Sequence, residues 1–509
     1  FSVGASDPRS RSAPEAGERG FWTHSKDHDR LTLAQREGRR SEIRNVIAMA
    51  IPVVITTSSR ALMDVADYVM ITWLPTDDAQ AAILPAQILM WSYIVVGLGI
   101  VSMVNTFASQ SLGRKEYREC SAYAWQSVYL GIAFGLIGLV MTPLVPWLVT
   151  QIGHEPRVQA AEIAYLRIAM LTVAPTIAAD GLGWFFVGVH RPWVTAWTAL
   201  EANVVNIAIA YVLIFGKLGF APMGIAGAAA GTLAAVIYRM LRLASAMWLP
   251  SPAALFASRN TWRPSWRRLS NLLRVGMPCG VQWLTEVIVW AIFVNVLVGA
   301  KFGTAHLIAT NVSWQYMRIA FMPTIGVGRA LSALVGKSIG EGDPKRAVRE
   351  ARFVAFITSF YMGSLSVVYT IFGLELVGFF NANAEVGEIG AKVMICAGAF
   401  QLFDALGITY GSALRGAGDT FVPSVFFIVS HWIIVVGGGW WVATAYPQLG
   451  SIGPWIAGAV LIAVSSVFLW WRWNGRAWMR IDLFSARRSS EFQPDSVAAA
   501  APVAIVSDF

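Results

Sequence analysis

The feature that most constrains this chain is the recurrence, from about Asn45 to Trp473, of apolar stretches long enough to cross a bilayer. A crossing helix needs about 20 mainly apolar residues. Lipid offers the backbone no hydrogen bonds, so runs of this length must satisfy themselves as helices. A membrane β-barrel would instead show short alternating segments, and the sequence has none. Composition agrees: only 14% of residues are charged, against about 25% in soluble domains.

Twelve spans are predicted, at 45–73, 82–107, 121–150, 160–188, 193–216, 223–248, 271–299, 305–335, 350–378, 386–413, 421–445 and 452–473. The expected fold is an all-α integral membrane protein with two pseudo-symmetric six-helix lobes. Residues 45–249 make the first lobe and 271–475 the second, joined by a cytosolic linker at 250–270 that carries Arg259, Arg263, Arg267 and Arg268. Residues 1–44, rich in Ser, Arg, Asp and Gly and without the apolar core of a signal peptide, read as a disordered cytosolic extension. Residues 476–509 read as a cytosolic tail.

The net charge of +9 is a matter of topology, not of nucleic-acid binding. Arg114, Lys115 and Arg118 follow span 2, the linker follows span 6, and Lys345, Arg346, Arg349 and Arg352 follow span 8. The intervening loops are poor in cations. The positive-inside rule then places both termini and the linker in the cytoplasm, in a cell membrane crossed many times. Cys120, Cys279 and Cys396 are too few and too scattered for a disulfide framework or a metal site, and read as small packing residues.

The two halves repeat. Pro52 and Pro278 share an offset of 226 (278 minus 52), Gly113 and Gly340 one of 227 (340 minus 113). The tetrapeptide Ile225–Ala228 recurs at Ile456–Ala459, an offset of 231. With an even number of spans in each half, both halves enter the membrane from the same side, so the repeat is parallel. Two lobes about a central cleft are what alternating access requires.

Ionisable residues inside the spans each need a reason, because burying a charge in the bilayer is costly. Arg60, Asp64 and Asp67 lie on one face of span 1. They form either a self-neutralised stripe or a cation acceptor at Asp67 tuned by Arg60. Glu286 in span 7 follows Gln282 by one turn, and Asp404 in span 10 follows Gln401. No base lies within a turn of either, so their partners are expected from across the lobe. Such carboxylates can exchange protons near neutral pH, or hold Na⁺ together with carbonyl or amide oxygens. Asp180 and Glu201 are weaker candidates, and Arg318, Arg329 and Lys392 are expected to pair with carboxylates or snorkel. Trp470, Trp471 and Trp473 read as an interfacial belt. Trp283, Trp290 and Trp314 fall mid-span, where aromatic faces suit lipophilic cations but serve packing equally well.

Several tracts together resemble the multidrug and toxic compound extrusion (MATE) family. Met63–Met70 is similar to its first-helix signature, with Asp67 at the acidic position. Phe107–Tyr117 and Ala333–Ala347 resemble its paired loop motifs, Asn206–Gly219 its fifth helix, and Gly411–Thr420 its second-lobe motif. The resemblance covers roughly residues 40–475, in order. It implies antiport, with inward H⁺ or Na⁺ driving export of amphipathic, often cationic compounds, without cofactor or catalysis. It also implies that Glu286 and Asp404 form the second-lobe cation site, which would be the metal site if Na⁺ is the ion. Asp67 and Asn206 would serve the first lobe, with Arg60, Asp64, Gln282, Trp283 and Gln401 lining or supporting the cavity. Ala210 departs from the pattern, standing where one branch has a second aspartate.

The expected partners are the bilayer and small amphipathic organic substrates, with no nucleic acid, and the chain is expected to act as a monomer. One charge crossing 100 mV supplies about 2.3 kcal/mol, and each tenfold concentration ratio needs about 1.4 kcal/mol, so one coupled ion sustains a ratio of tens. No phosphate-binding GxxxxGK[ST] tract is present. Two alternatives stay open. A lipid-linked oligosaccharide flippase of related fold would show more cations facing the cleft, for which Arg60, Arg318 and Arg329 are candidates. A membrane-embedded transferase would need a second acidic cluster beside Asp64 and Asp67.

Overall fold

The structure, a computed structural model, describes residues 19–74, 77–380 and 383–484. Among them twelve helices are long and apolar enough to cross a membrane. They are span 1 (Ile43–Thr72), span 2 (Asp78–Gly113), span 3 (Tyr117–Ile152), span 4 (Pro156–Gly188), span 5 (Pro192–Phe215), span 6 (Ile225–Trp248), span 7 (Trp266–Ala300), span 8 (Thr304–Gly340), span 9 (Pro344–Ile371), span 10 (Ala384–Ala417), span 11 (Phe421–Ala445) and span 12 (Ile452–Asn474). The protein is a multi-pass, all-helical membrane protein.

Several helices outrun the hydropathy that predicts them. Span 8 has 37 residues, about 55 Å at 1.5 Å per residue, well beyond the hydrocarbon layer. Its polar last turns, and those of span 2, are helical because they are buried by protein. Asn105, Thr106, Ser109, Gln110 and Ser111 are almost wholly inaccessible. Hydropathy sees only the lipid-facing part of such a helix.

Apolar side chains form one cluster drawn mainly from spans 2–6, including Ile94, Phe107, Leu182 and Phe186, and another from spans 7–12, including Phe293, Met362, Phe400 and Trp455. Within each group neighbours pack tightly, span 3 on span 4, span 5 on span 6, and spans 8, 9 and 12 on span 10. The two groups meet where span 2 packs against spans 7 and 8.

That meeting point explains the repeated motif. A Cβ on Gly113 would strike the backbone oxygen of Lys337, and one on Gly340 would strike that of Gln110. Gln110 and Lys337 are themselves repeat partners at the offset of 227 (337 minus 110). The contact is therefore reciprocal, as a twofold axis through the crossing demands. Only glycine allows the backbones this close. Span 2 completes the seam with polar bonds to the other half: Asn105 Nδ2 to the Arg329 carbonyl at 3.2 Å, Thr106 Oγ1 to that of Arg415 at 2.8 Å, and Gln110 Nε2 to that of Gly416 at 3.0 Å.

Two expectations change, and two connections take a form that sequence did not describe. Residues 19–44 were expected disordered; Arg19–Thr72 is helical, and Gln35, Arg36, Glu37, Arg39 and Arg40 are strong helix formers. Residues 1–18 lie outside the described residues. The connection after span 6 is held against span 3. Ser121 Oγ donates to the Phe256 carbonyl at 2.7 Å, Trp125 Nε1 to that of Ser258 at 2.9 Å, and Arg268 forks onto Glu119 at 2.8 and 3.0 Å. The start of the tail is likewise docked. Phe484 is buried edge-on against Phe107 and Tyr123, while Arg114 pairs with Asp482 at 3.3 Å and lies 4.3 Å over the Phe484 ring. Residues 485–509 lie outside the described residues. Finally, Trp470 and Trp471 are exposed as a belt requires, but Trp473 is buried, stacked on Trp478 at 4.3 Å.

Candidate functional site

The six span carboxylates that the sequence singles out divide into two kinds by their partners. Asp180 receives Arg239 at 2.6 Å and Arg60 at 3.6 Å. Glu201 receives Arg242 at 3.1 Å and the Tyr238 hydroxyl at 2.9 Å. Asp64, Asp67, Glu286 and Asp404 have no base within ion-pair distance among the described residues. The first two are paired with arginines. The other four are carboxylates held by neutral groups or facing open space.

In the first half, the face of span 1 is arranged differently from the expected stripe. Arg60 turns to Asp180 in span 4 and lies 5.2 Å over the Trp91 ring, so it does not neutralise Asp67. Asp67, 4% exposed, accepts from Thr232 Oγ1 at 2.9 Å, and that hydroxyl accepts from Asn206 Nδ2 at 3.3 Å. Asp67 Oδ1 and Asn206 Oδ1, both buried, have no partner. Two acceptor oxygens without a donor are a place for a proton or a cation. Asp64, by contrast, is exposed.

Thr232, Arg239 and Asp180 belong to these networks, and sequence reading undervalued them. Thr232 follows Gly231, whose close contact with Ala210 brings span 6 against span 5. A Cβ on Gly231 would lie 2.6 Å from the Ala210 Cβ. That contact explains the departure at Ala210, which is wholly buried and has no room for a carboxylate.

In the second half, Glu286 has a local partner after all, an amide instead of a base. Gln282 Nε2 donates to Glu286 Oε1 at 3.0 Å, and Ser424 Oγ of span 11 donates to Gln282 Oε1 at 2.9 Å. The serine fixes which way the amide points. Asp404 lies within Coulombic reach of Glu286. One turn away Gln401 is wholly buried, with neither its oxygen nor its nitrogen partnered. Trp283 packs on the first-half core, and Trp290 and Trp314 join Phe293 and Trp455 in the second-half core, with ring centroids 4.9 to 6.1 Å apart. Those two tryptophans are packing residues. Among the described residues no group of three or more His, Cys, Asp or Glu could hold a metal ion.

Comparison with known proteins follows the same lines. The MatE family model matches twice, over residues 52–212 and 278–441, so that the matches begin at the repeated Pro52 and Pro278. A probable multidrug resistance protein NorM of Rhizobium meliloti (strain 1021) is 28% identical over 87% of this chain and 95% of its own length. One from Bradyrhizobium diazoefficiens is 27% identical over 82% and 89%. A multidrug resistance MATE family transporter of the MOP superfamily, solved in an outward-facing conformation, superposes with a TM-score of 0.78 at 18% identity, over 87% of this chain and 97% of that one. Fold, repeat and family model agree: the chain belongs to the MatE family of membrane transporters.

Proposed function

We propose that this transporter exports amphipathic and cationic organic compounds in exchange for inward H⁺ or Na⁺, and that Glu286 and Asp404 carry the ion. The observation that supports this most is their electrostatic isolation. Two carboxylates in Coulombic reach of one another, served by Gln282 and flanked by the unpartnered Gln401, have no permanent countercharge. An ion that comes and goes supplies one. Asp67, with Asn206 and Thr232, is a second ion-accepting position in the first half. The names of the relatives, multidrug resistance proteins, support the substrate class.

The lobes are taken as residues 45–249 and 271–475, acting as one monomer in the cell membrane. The seam joining spans 2, 8 and 10 lies at the end that carries Arg114, Lys115, Lys345 and Arg346. By the positive-inside rule that end faces the cytoplasm, with both chain termini. The seam then closes the cytoplasmic side of the two halves. A flippase would share the lobed plan, but the unpaired carboxylates favour a cation-coupled exporter.

The test is ion flux evoked by substrate in reconstituted vesicles, with Na⁺ and pH gradients imposed separately and ethidium as the exported cation. Exchange driven by one gradient supports the reading and identifies the ion. Ethidium movement that neither gradient drives contradicts it.

A further inference from the structure

The cluster around Asp180 holds more positive charge than its carboxylate can answer. Arg60, Arg239 and Arg329 come from spans 1, 6 and 8, and arginine does not shed its proton in proteins. Asp180 accepts from Arg239 at 2.6 Å and faces Arg60 at 3.6 Å. Arg329 lies within Coulombic reach of all three. Yet among the described residues no carboxylate lies within ion-pair distance of it and its guanidinium makes no hydrogen bond. It instead lies 4.9 Å over the ring of Trp184, one turn beyond Asp180. Arg239 Nε is buried without a partner. Two guanidiniums are therefore paired with one carboxylate, and a third lies within Coulombic reach of it.

A structural ion pair needs one arginine for one aspartate. Here a guanidinium from the second half completes a cluster in the first, and it carries unused donors. The rings of Trp91 and Trp184 hold Arg60 and Arg329 in place by their faces, so that the forks are pre-positioned. Forked donors in a planar array match a carboxylate. On span 1 the same face then runs from Arg60 to Asp64 and Asp67, about 6 to 10 Å further along the helix. One face of span 1 thus carries positive and negative charge in sequence.

We infer that Arg60, Arg239 and Arg329 form a subsite for the carboxylate of a zwitterionic amphipathic substrate, whose cationic end lies toward Asp64 and Asp67. The inference rests on the exporter reading and narrows its substrate class. The free arginine donors take the anionic group, the acidic end of span 1 takes the cation, and the spacing between the two charges sets the preference.

The probes are a rhodamine free acid, which is zwitterionic, and its methyl ester, which is only cationic. Binding to the purified full chain in detergent is followed by fluorescence anisotropy. Charge-assisted hydrogen bonds predict that the acid binds about tenfold more tightly than the ester. Arg329→Gln should narrow that ratio to about twofold, and Asp180→Asn, which removes the competing carboxylate, should widen it. Equal affinity for acid and ester, or failure of the acid to bind, overturns the subsite, as does a ratio that Arg329→Gln leaves unchanged. Gradient-driven export of the ester separates the two claims. If the ester is exported and the acid is not preferred, the subsite alone is wrong; if gradients move neither dye, the exporter reading fails.

Discussion

At the scale of single residues, what matters is which charges have answers. Local spacing finds Glu286 and Asp404, and it finds Gln282 one turn before Glu286, because one turn of helix is visible in sequence. Arg60 shows where such reading stops. Its neighbours on span 1 are Asp64 and Asp67, yet its partner is Asp180 in span 4, a choice made by helix packing. Ala210 carries a prediction of its own. Ala210→Asp, which restores the carboxylate of the related branch, should push spans 5 and 6 apart at Gly231 and lower Tm by several degrees in detergent. Unchanged Tm would show that the contact has slack.

A second residue-scale prediction concerns His190, in the short turn between spans 4 and 5. Burial, reinforced by Lys337 and Arg346, holds its imidazole down at about 3, and Ala333 gives it a backbone hydrogen bond. Above pH 6.5 it is neutral both in the packed and in the unfolded chain. As pH falls below 6.5 the unfolded chain gains a proton that the packed chain refuses until about 3. Packing must therefore lose stability progressively through that window. His190→Gln should flatten the acid side of the Tm–pH curve; an unaltered curve would mean that other groups cause the acid loss.

At the scale of elements, twelve spans and their order are legible because hydropathy needs no tertiary knowledge. The polar ends of spans 2 and 8 are not, since Asn105, Thr106 and Gln110 are helical only by virtue of the opposite half. The same holds for the tail, where nothing in composition marks Phe484 as a core residue. Phe484→Ala removes a ring buried against Phe107 and Tyr123, a change that costs about 3 kcal/mol at buried sites. Hydrogen exchange over residues 475–484 should rise by about two orders of magnitude if that docking is local. No rise would show that Trp478 and Asp482 hold the strap unaided.

At the scale of the whole molecule, the internal repeat foretells the architecture, and the crossing of Gly113 with Gly340 gives the repeat a physical meaning. The two copies of one motif meet at the axis, where only glycine permits the approach. Alternating access requires this seam to part. Cysteines placed at Ser109 and Gly336, which touch across it, should form a disulfide that stops transport, with activity restored by reductant. Transport that continues with the bridge intact would mean that the seam stays closed throughout the cycle.

The central claim is that ion coupling resides in the second-half carboxylates. Its most direct measurement is gradient-driven ethidium efflux from vesicles containing equal amounts of wild-type protein, Glu286→Gln and Asp404→Asn, with ethidium binding measured in parallel. Each substitution should cut efflux at least about tenfold, the scale expected when a site loses a charge it needs, while binding of ethidium persists. Efflux that survives both substitutions and vanishes in Asp67→Asn would move the coupling site to the first half and contradict the account.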